Sequence, residues 1–443
     1  MRRKNIMNDR QKVVLGIKEK PSAGLFAILS LQHLFAMFGA TILVPYLVGI
    51  SPGVALISSG LGTLAFLLIT KGQVPAYLGS SFAFIIPLQT AIAADGPGAA
   101  MMASLLSGLV YGVVALIIKA TGHKWLVRIL PPVVVGPVII VIGLSLAGTA
   151  VGMAMNDASG AYSLQHFSVA LVTLAIVIIA TIFFKGFLNL IPVLIGIIGG
   201  YIYALAIGLV DFSAVKQAKF IEMPDFIIPF VSYTPHFSMD MIALIVPVAI
   251  VTLSEHIGHQ MVLSKVVHKD LIKQPGLHRS IMGDGVATMI ASLIGGPPNT
   301  TYGENIGVLA ITRVFSIYVI GGAAVVAIFF GFSGTINALI SSIPSPVMGG
   351  ISILLFGIIA SSGLRMLVDS KVDLGENRNL VISSVILVVG IGGAFIEVLG
   401  FEIHGMALAA IIGVLLNIIL PGGEVNEDED IYETHHEDEN SVA

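Results

Sequence analysis

Apolar runs long enough to cross a lipid bilayer recur along the whole chain, and they limit what it can fold into. A membrane-spanning helix needs about 17–25 predominantly apolar residues. Only 11% of the 443 residues are charged, whereas soluble domains contain about 25% charged residues. Backbone polar groups in lipid must be satisfied within the segment, which favours helices. The sequence therefore predicts an all-α polytopic membrane protein.

Cutting the sequence at charged or turn-rich breaks predicts fourteen transmembrane spans. Their approximate bounds are 25–49, 53–70, 74–94, 99–118, 129–154, 167–184, 186–210, 241–264, 285–296, 297–312, 314–332, 346–364, 380–399 and 404–420.

The basic residues predict how these spans are oriented. If the N-terminus is cytoplasmic, 20 of the 22 Lys and Arg residues fall on the cytoplasmic side, and only Lys216 and Lys219 fall outside. Positive charge concentrates on the cytoplasmic side of membrane proteins. We therefore expect a multi-pass protein of the cell membrane with both termini in the cytoplasm. The last twenty residues contain nine acids and no base, which is typical of a solvated tail.

The two halves of the chain resemble each other. Span one shares its pattern with span eight, and "PVVVGPVIIVIG" (132–143) in span five matches "PVMGGISILLFG" (346–357) in span twelve. Spans three and ten correspond in the same way. Seven is an odd number, so the second copy enters the membrane from the opposite side. This 7+7 inverted repeat is an architecture of many secondary transporters.

Spans three and ten are unlike ordinary helices. "VPAYLGSSFAFIIP" (74–87) and "GGPPNTTYGENIG" (295–307) place prolines, glycines and small polar residues at membrane depth. Proline removes a backbone donor and glycine loosens a helix, so we expect short extended segments followed by half-helices. Paired interruptions of this kind are the best sequence indication of a transporter's binding site.

Ionisable residues within the spans are the candidate functional groups. Of the 26 acids, Glu255 and Glu304 are the two that lie well inside predicted spans. A charge at the bilayer centre costs about 2.5–3.5 kcal/mol on insertion scales, so such residues usually serve a function. His259 lies four residues after Glu255, on the same helix face. The alternative is a structural glutamate that pairs with a histidine of a neighbouring helix. For His33 and His256, packing and function remain equally open.

Three other interpretations were considered, and two of them concern the stretch "EHIGH" (255–259). A class I aminoacyl-tRNA synthetase also carries "HIGH", but it needs an alternating βαβ context, which is missing here. An intramembrane zinc hydrolase would want His-Glu-x-x-His or His-x-x-Glu-His spacing, which this stretch lacks. The absence of cysteine removes thiol catalysis and thiolate metal sites. A passive channel would repeat polar residues along one path. No enzyme, metal or nucleic-acid role is therefore expected.

Several motifs resemble the nucleobase–ascorbate transporter family, and within it the bacterial uracil permeases. They are "QHLFAMFGA" in span one, "GSSFAF" in span three, "EHIGH" in span eight and "NTTYGENIGVLAITR" in span ten. The last contains the family's signature, at Glu304, Asn305, Gly307, Thr312 and Arg313. The likeness covers nearly the whole chain apart from its two tails.

The resemblance implies a division into two domains of discontinuous sequence. A core domain would comprise residues 25–128 and 241–333, and a gate domain residues 129–240 and 334–420. Residues 1–24 and 421–443 would be cytoplasmic segments. The resemblance also implies short antiparallel strands in spans three and ten, and a homodimer.

The resemblance further implies roles for individual residues. Glu255 and Glu304 would bind the base together with backbone groups of Phe82 and Gly303. His259 would support Glu255, and His33 would support Glu304. Ala40 and Tyr302 would line the pocket. The signature amide is Asn305, and Phe356 would be an aromatic residue of the gate domain. A tyrosine stands at the last position in some relatives, so a hydroxyl contact there is in doubt.

The resemblance implies a nucleobase such as uracil as the transported substrate, and the chemistry of uracil agrees with the residues. Uracil is planar and neutral, and carboxyl oxygens can accept from its N–H groups while backbone amides donate to its carbonyls. Phe82 offers a stacking face. Burial disfavours a charged carboxyl, so Glu255 is the expected carrier of a coupling proton. The resemblance therefore implies uracil as the imported substrate, and the buried carboxyl predicts proton symport, without a cofactor. Xanthine, urate or another purine, and sodium coupling through backbone carbonyls, remain alternatives.

Overall fold

The structure is a computed structural model that describes residues 13–398 and 401–422. The first half contains α1 (Ala23–Val48), α2 (Pro52–Ile69), β1 (Leu78–Ser80), α3 (Ile85–Thr121), α4 (Lys124–Ile129), α5 (Pro132–Ser145), α6 (Ala147–Met155), α7 (Leu164–Phe183), α8 (Pro192–Ala206) and α9 (Ser213–Gln217). The predicted acidic tail lies outside the described residues, apart from its first two positions.

The second half repeats this order, with a further pair of strands before its last helix. It contains α10 (Met239–Ile245), α11 (Val248–Val267), α12 (Leu277–Ile294), β2 (Asn299–Thr301), α13 (Gly303–Thr312), α14 (Ile317–Gly331), α15 (Gly334–Ser341), α16 (Ser345–Asp369), α17 (Asn377–Ile391), β3 (Phe395–Val398), β4 (Phe401–His404) and α18 (Gly405–Ile419).

Each of the fourteen predicted spans corresponds to an element of the described chain. Seven helical stretches are long and apolar enough to cross a membrane, and α14 with α15 forms an eighth that is bent by 83°. The longest, Phe82–Thr121, covers spans three and four and is broken at Gly96, whose φ is 81°. The remaining spans are the shorter apolar helices α8, α17 and α18, the helix α12, and β2 with α13.

Two predicted boundaries were wrong. Span nine begins at Leu277 and not at 285, because the helix continues through Asp284, a charged residue that suggested a loop. Span thirteen ends at Ile391 and not at 399. The strands β3 and β4 follow it as an antiparallel pair, with Phe395 opposite His404, so extended structure is not confined to spans three and ten.

The predicted strands of spans three and ten pair with each other and join the two halves of the chain. Leu78, Gly79 and Ser80 lie opposite Thr301, Thr300 and Asn299 in an antiparallel ladder. Prolines at 75, 297 and 298 explain why helix does not form there, since proline removes a donor and favours extended backbone in the residue before it. Gly79 is required, because a Cβ there would lie 2.4 Å from the Tyr302 ring.

Side chains of neighbouring helices satisfy the outer edges of this buried ladder. The Thr63 hydroxyl of α2 donates to the Leu78 carbonyl at 3.2 Å and accepts from its N–H at 2.9 Å. On the other edge, the Thr288 hydroxyl of α12 donates to the Asn299 carbonyl at 2.9 Å. Unpaired backbone groups are costly away from water. These threonines therefore make an open two-stranded sheet tolerable at membrane depth.

The helices pack in two groups. One group, here called the first group, contains α1, α2, α3 and α10–α14, and the second group contains α5–α8 and α16–α18. Contacts in one half of the chain have counterparts seven spans away in the other half. The contact of α3 with α12 corresponds to that of α14 with α2, and the contact of α7 with α8 corresponds to that of α17 with α18. Exchanging the two halves of the chain thus preserves the packing, as expected of an inverted repeat.

The contact between α3 and α12 generates a test of this packing. Gly108 allows close approach, because a Cβ there would lie 2.8 Å from the Gly285 carbonyl oxygen and 2.7 Å from Met289 Cγ. Small residues at helix contacts in membranes serve this purpose. We expect Gly108→Ala to lower stability by about 1–3 kcal/mol, the usual cost of overpacking.

The matched control is Gly112→Ala, one turn further along α3, where the nearest atom to a built Cβ is Met282 Sδ at 4.0 Å. Thermal unfolding in detergent should show a lower midpoint for the first variant only. Equal midpoints would contradict the close approach of these helices.

Candidate functional site

The β1–β2 ladder places a helix start at each of its ends. A single turn of 3₁₀ helix, Phe82–Phe84, leads from β1 into α3, and α13 begins at Gly303 two residues after β2. The first N–H groups of a helix have no partner within it, and the helix dipole makes this end positive. Backbone donors are thus available near Phe82 and Gly303.

The α11 residues Glu255 and His259 lie beside this arrangement. Glu255 is buried, with 7% of its surface exposed, and its Oε2 has no hydrogen-bond partner among the described residues. His259 Nδ1 lies 3.4 Å from Thr301 Oγ1 of β2. A Cβ built on Gly303 would lie 3.0 Å from His259 Nε2. The predicted pair on α11 therefore faces the end of β2 and the start of α13.

Glu304, the second residue of α13, is partly buried. Its helix α13 packs on α11, which carries Glu255, so the two predicted carboxyls lie on helices in contact. The preceding residue, Tyr302, is buried, and its hydroxyl donates to the Ser80 carbonyl at 3.2 Å. The helix α1, which carries the buried Ala40, packs on both β1 and α13. Ala40 and Tyr302, which were predicted to line the pocket, therefore both lie close to the ladder.

Two residues predicted separately for the site, Phe82 and Phe356, meet and connect the two helix groups. Phe82, in the first group, and Phe356 of α16, in the second, meet edge to face with ring centroids 5.9 Å apart and planes at 83°. Gly143 of α5 packs behind Phe356, because a Cβ there would lie 2.3 Å from the Phe356 carbonyl oxygen. A side chain of the second group, Phe356, thus forms one side of the site.

His33 has a different neighbour from the one implied. Its Nδ1 lies 3.4 Å from Asn305 Nδ2, and its Nε2 has no hydrogen-bond partner among the described residues. Asn305 Oδ1 accepts from the Tyr77 N–H at 3.0 Å. Successive helix residues point about 100° apart, so a group that faces Asn305 does not face Glu304. His33 therefore contacts the signature amide instead of the carboxyl.

Asp284 is a buried carboxyl that was not among the predicted site residues. It is 4% exposed, and its Oδ2 lies 2.8 Å from Nδ1 of the buried His256. It was not predicted because span nine was expected to begin one residue after it. The apolar residues Leu277, Ile281 and Ala291, which continue the helical spacing on both sides of it, were the available signal. A third buried carboxyl thus contacts the residue that follows Glu255.

A cavity lies between the two helix groups. The first group contributes positions just after the Phe82–Phe84 turn, a residue of α10 and the start of α11, and the second group contributes residues of α5, α17, β4 and α18. The lining residues are Ile86, Pro87, Thr90, Ser145, Leu244, Val248, Gly390, His404, Met406 and Ala407. The predicted site residues do not line this cavity, so it marks space between the groups and not the predicted pocket itself.

Solved structures of two transporters share this fold. The transmembrane domain of a cyanobacterium bicarbonate transporter, BicA, superposes with a TM-score of 0.64 at 14% identity, over 90% of this chain and 99% of that one. Murine Solute Carrier 26 family member A9, an anion transporter in the inward-facing state, gives 0.65 at 12% identity, over 90% and 68%. The chain therefore has a polytopic helical membrane fold with a 7+7 inverted repeat.

The sequence comparisons specify the family. The sequence model of the permease family matches residues 25–399. The uracil permease of Bacillus caldolyticus is 68% identical over 96% of this chain and 99% of its own length, and that of Bacillus subtilis strain 168 is 66% identical over the same shares. The uracil permease of Escherichia coli K12 is 45% identical over 91% and 93%. The chain belongs to the permease family and is a transporter, not an enzyme, which confirms the resemblance seen in its motifs.

Proposed function

We propose that this protein imports uracil into the cell by proton symport. The observation that carries the proposal is the buried carboxyl of Glu255, whose Oε2 has no hydrogen-bond partner among the described residues, on a helix that packs against both helix starts of the inverted repeat. The substrate is supported by the relatives, of which three with the printed name uracil permease are 45–68% identical over most of the chain.

The residues around the ladder can recognise this molecule. Glu255 and Glu304 supply oxygens that accept from the N–H groups of the base, and the backbone near Phe82 and Gly303 supplies donors for its carbonyls. The Phe82 ring, edge-on to Phe356, supplies an apolar wall. A neutral nucleobase leaves no charge to compensate a buried carboxylate. Binding is therefore favoured when one carboxyl is protonated, which couples proton to substrate.

Movement between the helix groups would give alternating access. We assign the first group to the predicted core domain and the second to the predicted gate domain. The Phe82–Phe356 contact and the cavity between the groups both lie on this boundary. Rocking of one group against the other would open the site to either side in turn. Glu255 then exchanges its proton with whichever solution the site faces.

Labelled uracil uptake into proteoliposomes tests the function. An inward proton gradient should drive accumulation above the equilibrium level, and unlabelled uracil should compete better than xanthine, hypoxanthine or ascorbate. Accumulation that follows a sodium gradient at constant pH would contradict proton coupling. Stronger competition by xanthine would contradict the assigned substrate.

The pocket geometry predicts different outcomes for two glycines of α13. Gly303→Ala places a methyl group 3.0 Å from His259 Nε2, whereas a Cβ at Gly307 meets no atom within 4 Å. We expect the first change to weaken uracil binding by about 1–3 kcal/mol, the cost of overpacking, and the second to leave it unchanged. Calorimetry on both folded variants measures the difference. Equal affinities would remove His259 and Gly303 from the site.

We also propose a cell-membrane location with both termini in the cytoplasm and a homodimeric assembly. The chain contains no cysteine, so single cysteines can report orientation. An impermeant thiol reagent should label Gly160→Cys and Thr335→Cys from outside the cell, and Gly122→Cys and Asp373→Cys only after lysis. One reversed site would contradict the orientation. A monomeric mass by light scattering in mild detergent would contradict the dimer.

A further inference from the structure

We propose that a basic cavity on the cytoplasmic side of the first group binds a phosphate-bearing anion. The cavity lies where three parts of the chain meet: the N-terminal segment (residues 14–19), the turn after α2 (residues 70–73) and the loop after α11 (residues 268–274). The proposal uses the orientation proposed above. It goes beyond the proposed transport of uracil, because none of the residues assigned to bind the base lines this cavity.

The N-terminal segment is fixed to the connection that follows α13. The Leu15 N–H donates to the Arg313 carbonyl at 3.3 Å, and the Leu15 carbonyl accepts from the Phe315 N–H at 2.8 Å. Two further hydrogen bonds of the segment accept from Ile317 and Ser316, at the carbonyls of Ile17 and Glu19. The backbone that carries Lys18 is therefore held in place on both sides of this residue.

Polar side chains fix the loop after α11 in the same way. Asp270 Oδ1 accepts from the backbone N–H of Lys273 at 2.9 Å, and the Ser264 hydroxyl accepts from the Leu271 N–H at 3.1 Å. Side chains that accept from nearby backbone N–H groups stabilise tight turns. Lys269 and Lys273 therefore extend from backbone whose conformation is set before any ligand binds.

The cavity between these segments has the size of a ligand site and a polar lining. Its volume is about 620 Å³, within the range of about 300–1,000 Å³ that is typical of small-molecule sites. Of the eight described residues that line it, six are polar or charged: Lys18, Gln73, Lys269, Asp270, Lys273 and Gln274. Such a lining favours a charged, hydrogen-bonding ligand over an apolar one.

The charges of the lining specify an anion. Three lysines stand against one aspartate among the described lining residues, and Lys273 Nζ lies 3.7 Å from Asp270 Oδ2, so positive charge remains in excess. Lysine binds phosphate as a point charge, and the amides of Gln73 and Gln274 can donate further hydrogen bonds to phosphate oxygens. A phosphate monoester, with about 1.5–2 negative charges at neutral pH, matches this excess.

Orientation in the membrane does not by itself explain the cluster. Positive charge concentrates on the cytoplasmic side, but that rule does not bring lysines together around one cavity. Lys18 precedes the first helix and Lys269 lies in the second half of the chain, and both line the same space. The fixed backbone of the two segments, and not the charge bias alone, therefore accounts for their arrangement.

The cavity lies at the ends of the two helices that carry the site carboxyls. The helix α11, with Glu255, ends directly before the loop that carries Lys269. The helix α13, with Glu304, ends directly before the connection to which the N-terminal segment is bonded. An anion that contacts both Lys18 and Lys269 therefore joins the ends of these two helices.

The phosphate group can come from two sources. Basic pockets on the cytoplasmic side of membrane proteins bind the head groups of anionic phospholipids, and a cavity of this size also admits a soluble phosphate ester. Both kinds of ligand present phosphate oxygens to the same lysines. The test therefore has one arm for each source.

Two binding measurements on the full chain test the cavity. Calorimetry with inorganic pyrophosphate, in phosphatidylcholine nanodiscs at constant ionic strength, tests the soluble source. Native mass spectrometry with phosphatidylglycerol in neutral detergent tests the lipid source. We expect binding in at least one arm, and the double variant Lys18→Gln, Lys269→Gln should weaken it by about tenfold, the order expected when two exposed charge pairs are lost. The matched control, Lys119→Gln with Lys265→Gln, removes the same charge outside the cavity and should bind like wild type.

Gln73→Ala provides an independent variant, because it removes a lining amide without changing the charge, and it should also weaken binding. Absence of binding in both arms would overturn the proposal. Equal weakening in the two double variants would also overturn it, because the basic surface as a whole would then attract the anion. If wild-type protein failed to import uracil, the proposed function would fail, whereas both arms would still decide whether the anion site exists.

Discussion

The antiparallel ladder between Leu78–Ser80 and Asn299–Thr301 is the interaction on which the rest of the structure depends. It joins two halves of the chain that are more than 200 residues apart, at a depth where neither half could leave extended backbone unpaired. Thr63 and Thr288 complete its hydrogen bonds from the neighbouring helices. Because the ladder is short, helix begins again at each end, and the free N–H groups of those helix starts remain near the centre of the protein.

The ladder also brings the ionisable residues together. Thr301 touches His259 and His256 on α11, Asn305 joins Tyr77 to His33, and Tyr302 closes on Ser80. Each of these contacts starts from a residue of β2, from Tyr302 directly after it, or from the first turn of α13. The helices α11, α12 and α13, which carry the buried or partly buried carboxyls, all pack around this part of the chain. In the proposed mechanism, a small shift of the ladder would therefore alter both substrate recognition and proton exchange.

Much of this arrangement follows from local sequence rules. Long apolar runs predict the spans, matching motifs in the two halves predict the inverted repeat, and Pro- and Gly-rich interruptions predict extended segments in spans three and ten. That these segments are antiparallel strands was implied by the family resemblance. The i, i+4 spacing of Glu255 and His259 predicts that they share a face. The boundary at Leu277 was missed because a charged residue within an apolar helix looks like a loop until its partner is known. For Asp284 that partner is His256, on a different helix.

Other features depend on the relative rotation of helices that are distant in sequence. Whether His33 faces Glu304 or Asn305 is decided by a rotation of about 100° between successive helix residues, and no local pattern specifies it. The family resemblance implied only that Phe356 faces the site, and its contact with Phe82 was not predicted, because it depends on the packing of two helix groups that neither segment specifies. The β3–β4 pair was hidden within an apolar stretch that reads equally well as the end of a helix.

Glu255 is the residue on which the proposed coupling depends, and its substitution tests the account most directly. Glu255→Gln resembles the protonated carboxyl permanently and keeps an oxygen that can accept from the base. The measurement is accumulation of labelled uracil in proteoliposomes under an imposed inward proton gradient, with folding checked by size-exclusion chromatography. The account predicts that Glu255→Gln binds uracil with little dependence on pH and does not accumulate it, because no proton can be released inside. Accumulation at the wild-type level would show that the coupling ion binds elsewhere.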